Sequence, residues 1–180
     1  VTPPPDPIKG GHTFEGWNPA LPATMPAYDL TVTAQWSGEA VTVTFDPQGG
    51  TVNPTSKTVY YAAPYGELPI PTRTGYTFDG WHQSGAGTLV TAEDKVWNGG
   101  NHTLHAYWKA NTYRVTPDYQ GGTISGPWMP YLDVKYGEPY GENLPNATRF
   151  GYTFNGWFTD PTGGTQVTSE TIMNQASDHN

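Results

Sequence analysis

Strict alternation of apolar and polar residues is the first pattern along the chain. In Val41-Thr42-Val43-Thr44-Phe45 it sets Val41, Val43 and Phe45 on one face, as a half-buried strand requires. Leu30, Val32, Ala34 and Trp36 repeat the arrangement, with Thr31, Thr33 and Gln35 outward. Over 103–108 the same register turns Leu104, Ala106 and Trp108 inward and His105 and Tyr107 outward. Gly49-Gly50 and Gly121-Gly122 supply the positive φ that a tight turn after a strand demands. Helical periodicity is weak throughout. The best short helix or 3₁₀ turn falls around Ala92 to Val96 or Ser169 to Asn174. The pattern predicts mainly β structure: small mixed sheets with little helix.

The strand segments recur. Residues 72–82 read TRTGYTFDGWH and 148–158 read TRFGYTFNGWF, identical at eight of eleven positions, and 9–17 carry a third copy, KGGHTFEGW. Phe14, Phe78 and Phe154 are therefore equivalent, as are Trp17, Trp81 and Trp157. LTVTAQW at 30–36 pairs with TLHAYW at 103–108, matching Trp36 to Trp108. DPQGGT at 46–51 pairs with DYQGGT at 118–123, and Tyr-x-x-Pro-Tyr-Gly-Glu occurs at 61–67 and 136–142. Four matches in one order indicate tandem modules of about 70 residues.

The register predicts a partial module over 1–38, a complete one over 41–109 and a third over 112–180 lacking its last strand. The first enters at Pro5-x-Pro7, which matches Pro69-x-Pro71, and the third reaches Asn180 where the equivalent of 103–108 is due. Neighbouring sequence would complete such sheets, and an unpaired edge could recruit a strand from another chain. The links Ser37-Gly38-Glu39-Ala40 and Ala110-Asn111 are short, and the first, with Gly and small polar residues, reads as the more flexible. Two connections are lengthened, one around EDKVWNGGN with Trp97 and one around SGPWMPYLD with Trp128.

Composition narrows the function classes. The 22 Gly and 18 Pro make 40 of 180 residues, near the low-complexity range, but 7 Trp, 12 Tyr and 6 Phe are too many rings for a disordered chain. Charged residues are 13%, with 16 acidic against 8 basic, and the net charge of −8 without a basic run argues against nucleic acid or an anionic membrane as partner. No apolar stretch approaches the ~20 residues that cross a bilayer, and Val1-Thr2-Pro3-Pro4-Pro5 lacks signal-peptide character. The absence of Cys excludes disulfides, thiolate zinc sites and a Cys nucleophile.

The first strand with its Gly-Gly turn, then Tyr-Gly-Glu…Leu-Pro, then Thr-Arg-x-Gly-Tyr-Thr-Phe-x-Gly-Trp and a last strand ending Ala-x-Trp, resembles the Listeria–Bacteroides repeat family, which includes the internalin B-repeat. Met25-Pro26-Ala27 ahead of Leu30 to Trp36 is similar to versions in large Gram-positive surface proteins. The resemblance covers essentially the whole chain and implies β-grasp-like modules on secreted or wall-anchored bacterial proteins. Pro117 departs from it at the Phe45 position, which should end the third module's first strand early.

The recurring rings Phe14, Trp17, Trp36, Phe78, Trp81, Trp108, Phe154 and Trp157 alternate with Thr on strands, which favours a structural core over a stacking platform. Trp97 and Trp128 belong to no shared position; with Tyr131 on a Pro-stiffened loop they are the candidate ligand-binding residues. His102 and His105 face opposite sides of a strand, and His82 brings no Asp or Cys at ligand spacing, so no metal site is expected. Asp46 and Asp118 lack a DxDxDG run and read as turn residues. Glu93-Asp94 are adjacent in a loop, Ser125 lacks nucleophile-elbow spacing, and neither HExxH nor a phosphate-cradling Gly-Lys motif occurs. Lys9, Lys57, Lys95, Lys109 and Lys135 share no repeat position that would suggest isopeptide crosslinking. No catalytic residue and no cofactor is expected.

The sequence thus predicts a non-catalytic segment of an extracellular bacterial surface or secreted protein, a spacer with adhesive or protein-interaction capacity. Its partners would be neighbouring repeats and a host or cell-surface protein or glycan. The alternative is a carbohydrate-binding accessory module of a secreted glycan-active enzyme.

Overall fold

A computed structural model describes residues 5–24, 26–84 and 87–180. Val1 to Pro4 and Met25, used in the sequence reading, lie outside them. The chain forms two compact units, Val1–Pro71 with Gly80–Tyr107 and Thr72–Asp79 with Trp108–Asn180.

In the first unit, β1 (His12–Asn18) and β2 (Thr33–Gly38) form an antiparallel pair. Their register slips between Phe14 and Gly16, where Gly16 adopts φ +116°. Residues three apart on a regular strand face opposite ways. The bulge restores Trp17 to the face of Phe14, and their rings meet edge to face at 5.4 Å. This explains the Gly of each Phe-x-Gly-Trp motif: Gly80 and Gly156 also have positive φ, +134° and +109°.

Next come β3 (Ala40–Asp46), β4 (Ser56–Tyr60), β5 (Tyr76–Gln83), β6 (Leu89–Val90) and β7 (His102–Ala110). They form one sheet in the order β4-β3-β7-β5-β6, although the start of β5 and the end of β7 belong to the second unit. β3 runs antiparallel to β4 and parallel to β7, so the sheet is mixed. Val41, Val43, Phe45, Val59, Tyr65, Trp81, Val90, Val96, Leu104 and Ala106 are buried, and alternation along β3 and β7 explains five of the ten. Polar atoms among them are satisfied. Trp81 Nε1 donates to the Pro69 carbonyl at 2.8 Å, and Gln83 Nε2 donates to the Tyr65 hydroxyl, which also lies 2.8 Å from His102 Nε2.

No helix occurs among the described residues, and both segments singled out for one are turns. The reason is where their carbonyls go. The Ala92, Asp94 and Val96 carbonyls accept from the N–H groups of Gly66, Tyr65 and Ala62, across the sheet end rather than along a helix. Asp94 Oδ2 accepts from Thr91 N and Oγ1, both at 2.8 Å, which fixes the turn. In the second unit the Ser169, Thr171 and Met173 carbonyls accept from Gly141, Tyr140 and Gly137 in the same way.

The second unit pairs β8 (Thr112–Val115) with β10 (Leu132–Lys135), β9 (Thr123–Ser125) with β11 (Asn146–Thr148), and β12 (Trp157–Phe158) with β13 (Gln166–Val167), all antiparallel. Its core is Val115, Leu132, Val134 and Met173, packed against Tyr113, Met129, Tyr140 and Leu144. β8 stops at Val115, two residues before Pro117, where β3 runs on through Phe45 to Asp46. After both first strands an aspartate accepts from the residue two ahead: Asp46 from Gln48 N and Asp118 from Gln120 N, each at 2.9 Å. Gln48 and Gln120 both take φ +48°, which the short hydrogen-bonded turn holds in place.

Candidate functional sites

Each unit contains one repeat junction, and the two are built alike. In the first, the Glu39 N–H donates to the Gly11 carbonyl and the Tyr61 N–H donates to the Glu39 carbonyl, both at 2.9 Å. The Tyr61 ring lies over Gly11, where a Cβ would come within 2.7 Å of it, and meets the His12 ring edge to face at 5.3 Å. In the second, Asn111 N–H donates to Gly75 and Tyr136 N–H donates to Asn111, again both at 2.9 Å. The Tyr136 ring covers Gly75, where a Cβ would collide with it, and meets the Tyr76 ring at 5.5 Å. Thr77 Oγ1 donates to Asn111 Oδ1, and the Arg73 guanidinium stacks on Tyr76 at 3.9 Å. The link residues Glu39 and Asn111 thus carry the same two backbone bonds. In the Ser37-Gly38-Glu39-Ala40 link, Ser37 Oγ donates to the Glu15 carboxylate, and a Cβ at Gly38 would collide with the Tyr61 carbonyl.

Trp97 and Trp128 are 64% and 76% exposed. Trp97 meets Tyr61 edge to face at 5.9 Å, next to the first junction, with Lys95 Nζ 5.8 Å from its ring. Tyr131 is partly exposed beneath the Arg114 guanidinium, 3.7 Å from its centroid. The recurring rings occupy graded environments. Trp81 is 2% exposed, Phe14, Trp17, Trp36, Phe78, Trp108 and Trp157 are half-buried, and Phe154 is 39% exposed. Edge-to-face pairs join Phe14 to Trp36 and Phe78 to Trp108 at 5.5 and 5.6 Å.

The histidines are engaged separately. His82 Nδ1 lies 2.9 Å from the Gly87 carbonyl, His102 Nδ1 3.0 Å from Gly100, and His105 Nδ1 3.2 Å from Asp46 Oδ2. Gln48 N–H holds the Asp46 carboxyl below its ordinary range; partial burial opposes this, while the Gln48 side chain and His105 reinforce it. No group of three metal-ligating side chains occurs among the described residues.

The third repeat has an open cavity of about 500 Å³ lined by Val115, Tyr119, Tyr140, Leu144, Phe154 and Trp157. Several of its bonds copy the second repeat. Trp157 Nε1 donates to the Pro145 carbonyl at 2.7 Å as Trp81 does to Pro69, and the Tyr140 hydroxyl lies 3.0 Å from His179 Nε2 as Tyr65 does from His102. His179 bridges Val115 in parallel, as His102 bridges Val43.

Three stretches, 1–35, 42–107 and 113–180, match the Listeria-Bacteroides repeat domain. The chain belongs to that repeat family. Internalin H of Listeria monocytogenes is 35% identical over 130 residues, 71% of this chain and 22% of its own. Two Evansella cellulosilytica proteins also match, one provisionally named a Gly-rich membrane protein and the other a membrane protein. The first is 27% identical over 172 residues, 89% of this chain and 19% of its own. The second is 28% identical over 176 residues, 91% of this chain and 26% of its own. The chain spans about a fifth to a quarter of the length of these relatives. No solved structure matches it significantly.

Within this Listeria–Bacteroides repeat chain, sequence reasoning missed the junction residues Gly11, Tyr61, Gly75 and Tyr136. The signal was present, since each Gly and each Tyr falls at a matched repeat position. It also missed VTAED at 90–94 against VTSET at 167–171, and Asn101-His102 against Asp178-His179, which carry the repeat to its last strand.

Proposed function

We propose that this chain is a non-catalytic repeat segment of a bacterial surface protein, in which successive modules over 1–38, 41–109 and 112–180 act as a spacer and offer adhesive contacts. The observation that carries the reading is the repeated junction. Two links of different sequence adopt the same pair of backbone bonds under the same Tyr-over-Gly contact. A flexible tether has no need of such a contact, whereas a spacer that must keep its length does. The strand order of the second repeat, with the first strand beside the last in parallel, supports a β-grasp-like module whose helix is replaced by turns. An extracellular location fits the Internalin H relationship.

The test is the distance distribution between spin labels placed on either side of each junction, measured by double electron–electron resonance. A narrow distribution that broadens in Tyr61→Ala or Tyr136→Ala supports the spacer. A broad distribution in the unaltered chain removes it.

Exposure of Trp97 and Trp128 favours a second reading, glycan or host-protein binding through the two lengthened connections. Binding to a glycan array and to mucin and matrix proteins, lost in Trp128→Ala or Trp97→Ala with folding unchanged, supports it. Silence across the panel leaves the spacer alone.

A further inference from the structure

We propose that the second repeat is a mechanical clamp. When the array is pulled along its length, the parallel ladder between β3 and β7 takes the force in shear, and Asn101 and His105 pin its two ends. This deepens the spacer reading, on which the presence of tension rests, by assigning the resistance to one ladder.

The path of the force follows from the chain. Only Glu39 separates β2 from β3, and only Asn111 separates β7 from β8. Tension along the array therefore enters the second repeat at the first residue of β3, Ala40, and leaves it at the last residue of β7, Ala110. These strands are neighbours and run parallel, with Val43 opposite His102, Thr44 opposite Thr103, Phe45 opposite Leu104 and Asp46 opposite His105. Pulling the start of one parallel strand against the end of the other slides them past each other, so every pair is strained at once. An antiparallel pair pulled apart at one end gives way pair by pair instead.

The ladder is well placed to resist sliding. It lies inside the sheet, between β4 and β5, and all four pairs belong to the first unit. Val43, Phe45, Leu104 and Ala106 are at most 3% exposed, so water has little access to the ladder from that face. Each end also carries a side-chain tie. At one, Thr42 N–H donates to Asn101 Oδ1 at 2.8 Å, one residue ahead of the first pair. At the other, His105 Nδ1 lies 3.2 Å from both Asp46 Oδ2 and Gln48 Nε2. In the third repeat a different residue makes the first tie, Asp178 Oδ1 accepting from Arg114 N at 2.7 Å.

The chain has no Cys, so pairs of introduced cysteines set the direction of pull in optical tweezers. Handles on Glu39→Cys and Lys109→Cys load the ladder in shear. Handles on Glu39→Cys and Tyr60→Cys pull beside the Ala40–Tyr60 pair and unzip β4 from β3. All three positions are exposed. Forced unfolding reads the unfolding barrier, and the expected rupture force is at least about twofold higher in shear than in unzipping. Asn101→Ala should speed rupture about three- to tenfold at a fixed shear load, the worth of one hydrogen bond, and leave the unzipping force unchanged. Asn101→Asp keeps the acceptor and should restore the lifetime under shear, while His105→Ala should shorten it independently. Equal forces in the two directions would overturn the proposal. So would Asn101→Ala shortening both lifetimes alike, which marks ordinary loss of stability, or shortening neither. The spacer reading fails separately: broad label distances across the junctions remove it, and forces measured within one repeat do not depend on them.

Discussion

Gly75→Ala tests the junction most directly, because Gly151 supplies a control in the same unit. Both glycines precede the Tyr of the Gly-Tyr-Thr-Phe motif, and their φ values are +79° and +78°. An L side chain in that conformation costs about 1–2 kcal/mol, less some stiffening of the unfolded chain. At Gly151 nothing lies within 4 Å of an added Cβ, so about 1 kcal/mol is the whole effect. At Gly75 the methyl collides with the Tyr136 ring. The ring must swing aside, losing its edge-to-face contact with Tyr76, worth about 0.5–1.5 kcal/mol. Uncovering about half of a Tyr side chain adds about 2 kcal/mol. Gly75→Ala should therefore cost about 2.5–3.5 kcal/mol more than Gly151→Ala, a difference of at least about 10 °C in Tm for a unit of this size. Thermal unfolding followed at the Trp157 indole resonance reports on the unit that holds both sites. Gly75→Ala combined with Tyr136→Ala should lose less than the sum of the two, since one change removes what the other collides with. Equal losses at Gly75 and Gly151, or strict additivity in the double variant, would refute the argument that the ring over glycine secures the junction.

Other expectations are independent of that one. Trp81→Ala should cost about 3–5 kcal/mol in urea unfolding and the half-buried Trp157→Ala about half as much; equal costs would mean that Trp157 is as sealed as Trp81. Trp97→Ala and Trp128→Ala should each leave stability within about 0.5 kcal/mol, and a larger loss in thermal unfolding would place those rings in packing instead. The Asp46 carboxyl titrates below its ordinary 3.8 because the Gln48 N–H stabilises its charged form. A depressed folded value means that its contribution is present above about pH 4 and fades as pH falls below 3.8 through the folded value. Asp46→Asn should flatten that acid limb, and an unchanged pH profile of stability would contradict the assignment.

Much was legible in the sequence because repetition and alternation are local. Val41, Val43 and Phe45 are buried together on β3, and Leu104 and Ala106 on β7, since the two-residue period of a strand admits no other face. The Gly of Phe-x-Gly-Trp was visible as a recurring letter, but its reason emerged from register: only the bulge lets two rings three residues apart share a face. The helix expected at 92–96 and 169–174 failed because local propensity ignores the 62–66 and 137–141 segments, which accept those turns into a ladder. The graded burial of Phe154, Trp157 and Trp81 was equally hidden, since three identical motifs read alike until their neighbours are placed.

By itself, then, the sequence determined the family, the β class and the inward faces of β3 and β7. These follow from period, spacing and residue type within a few tens of positions. Only the tertiary structure decided that Tyr61 and Tyr136 cover Gly11 and Gly75 at the two links, and that Trp97 and Trp128 stand in solvent. Those features depend on pairs of groups brought together by folding. The energy of such a contact belongs to the pair, and no single stretch of chain carries it.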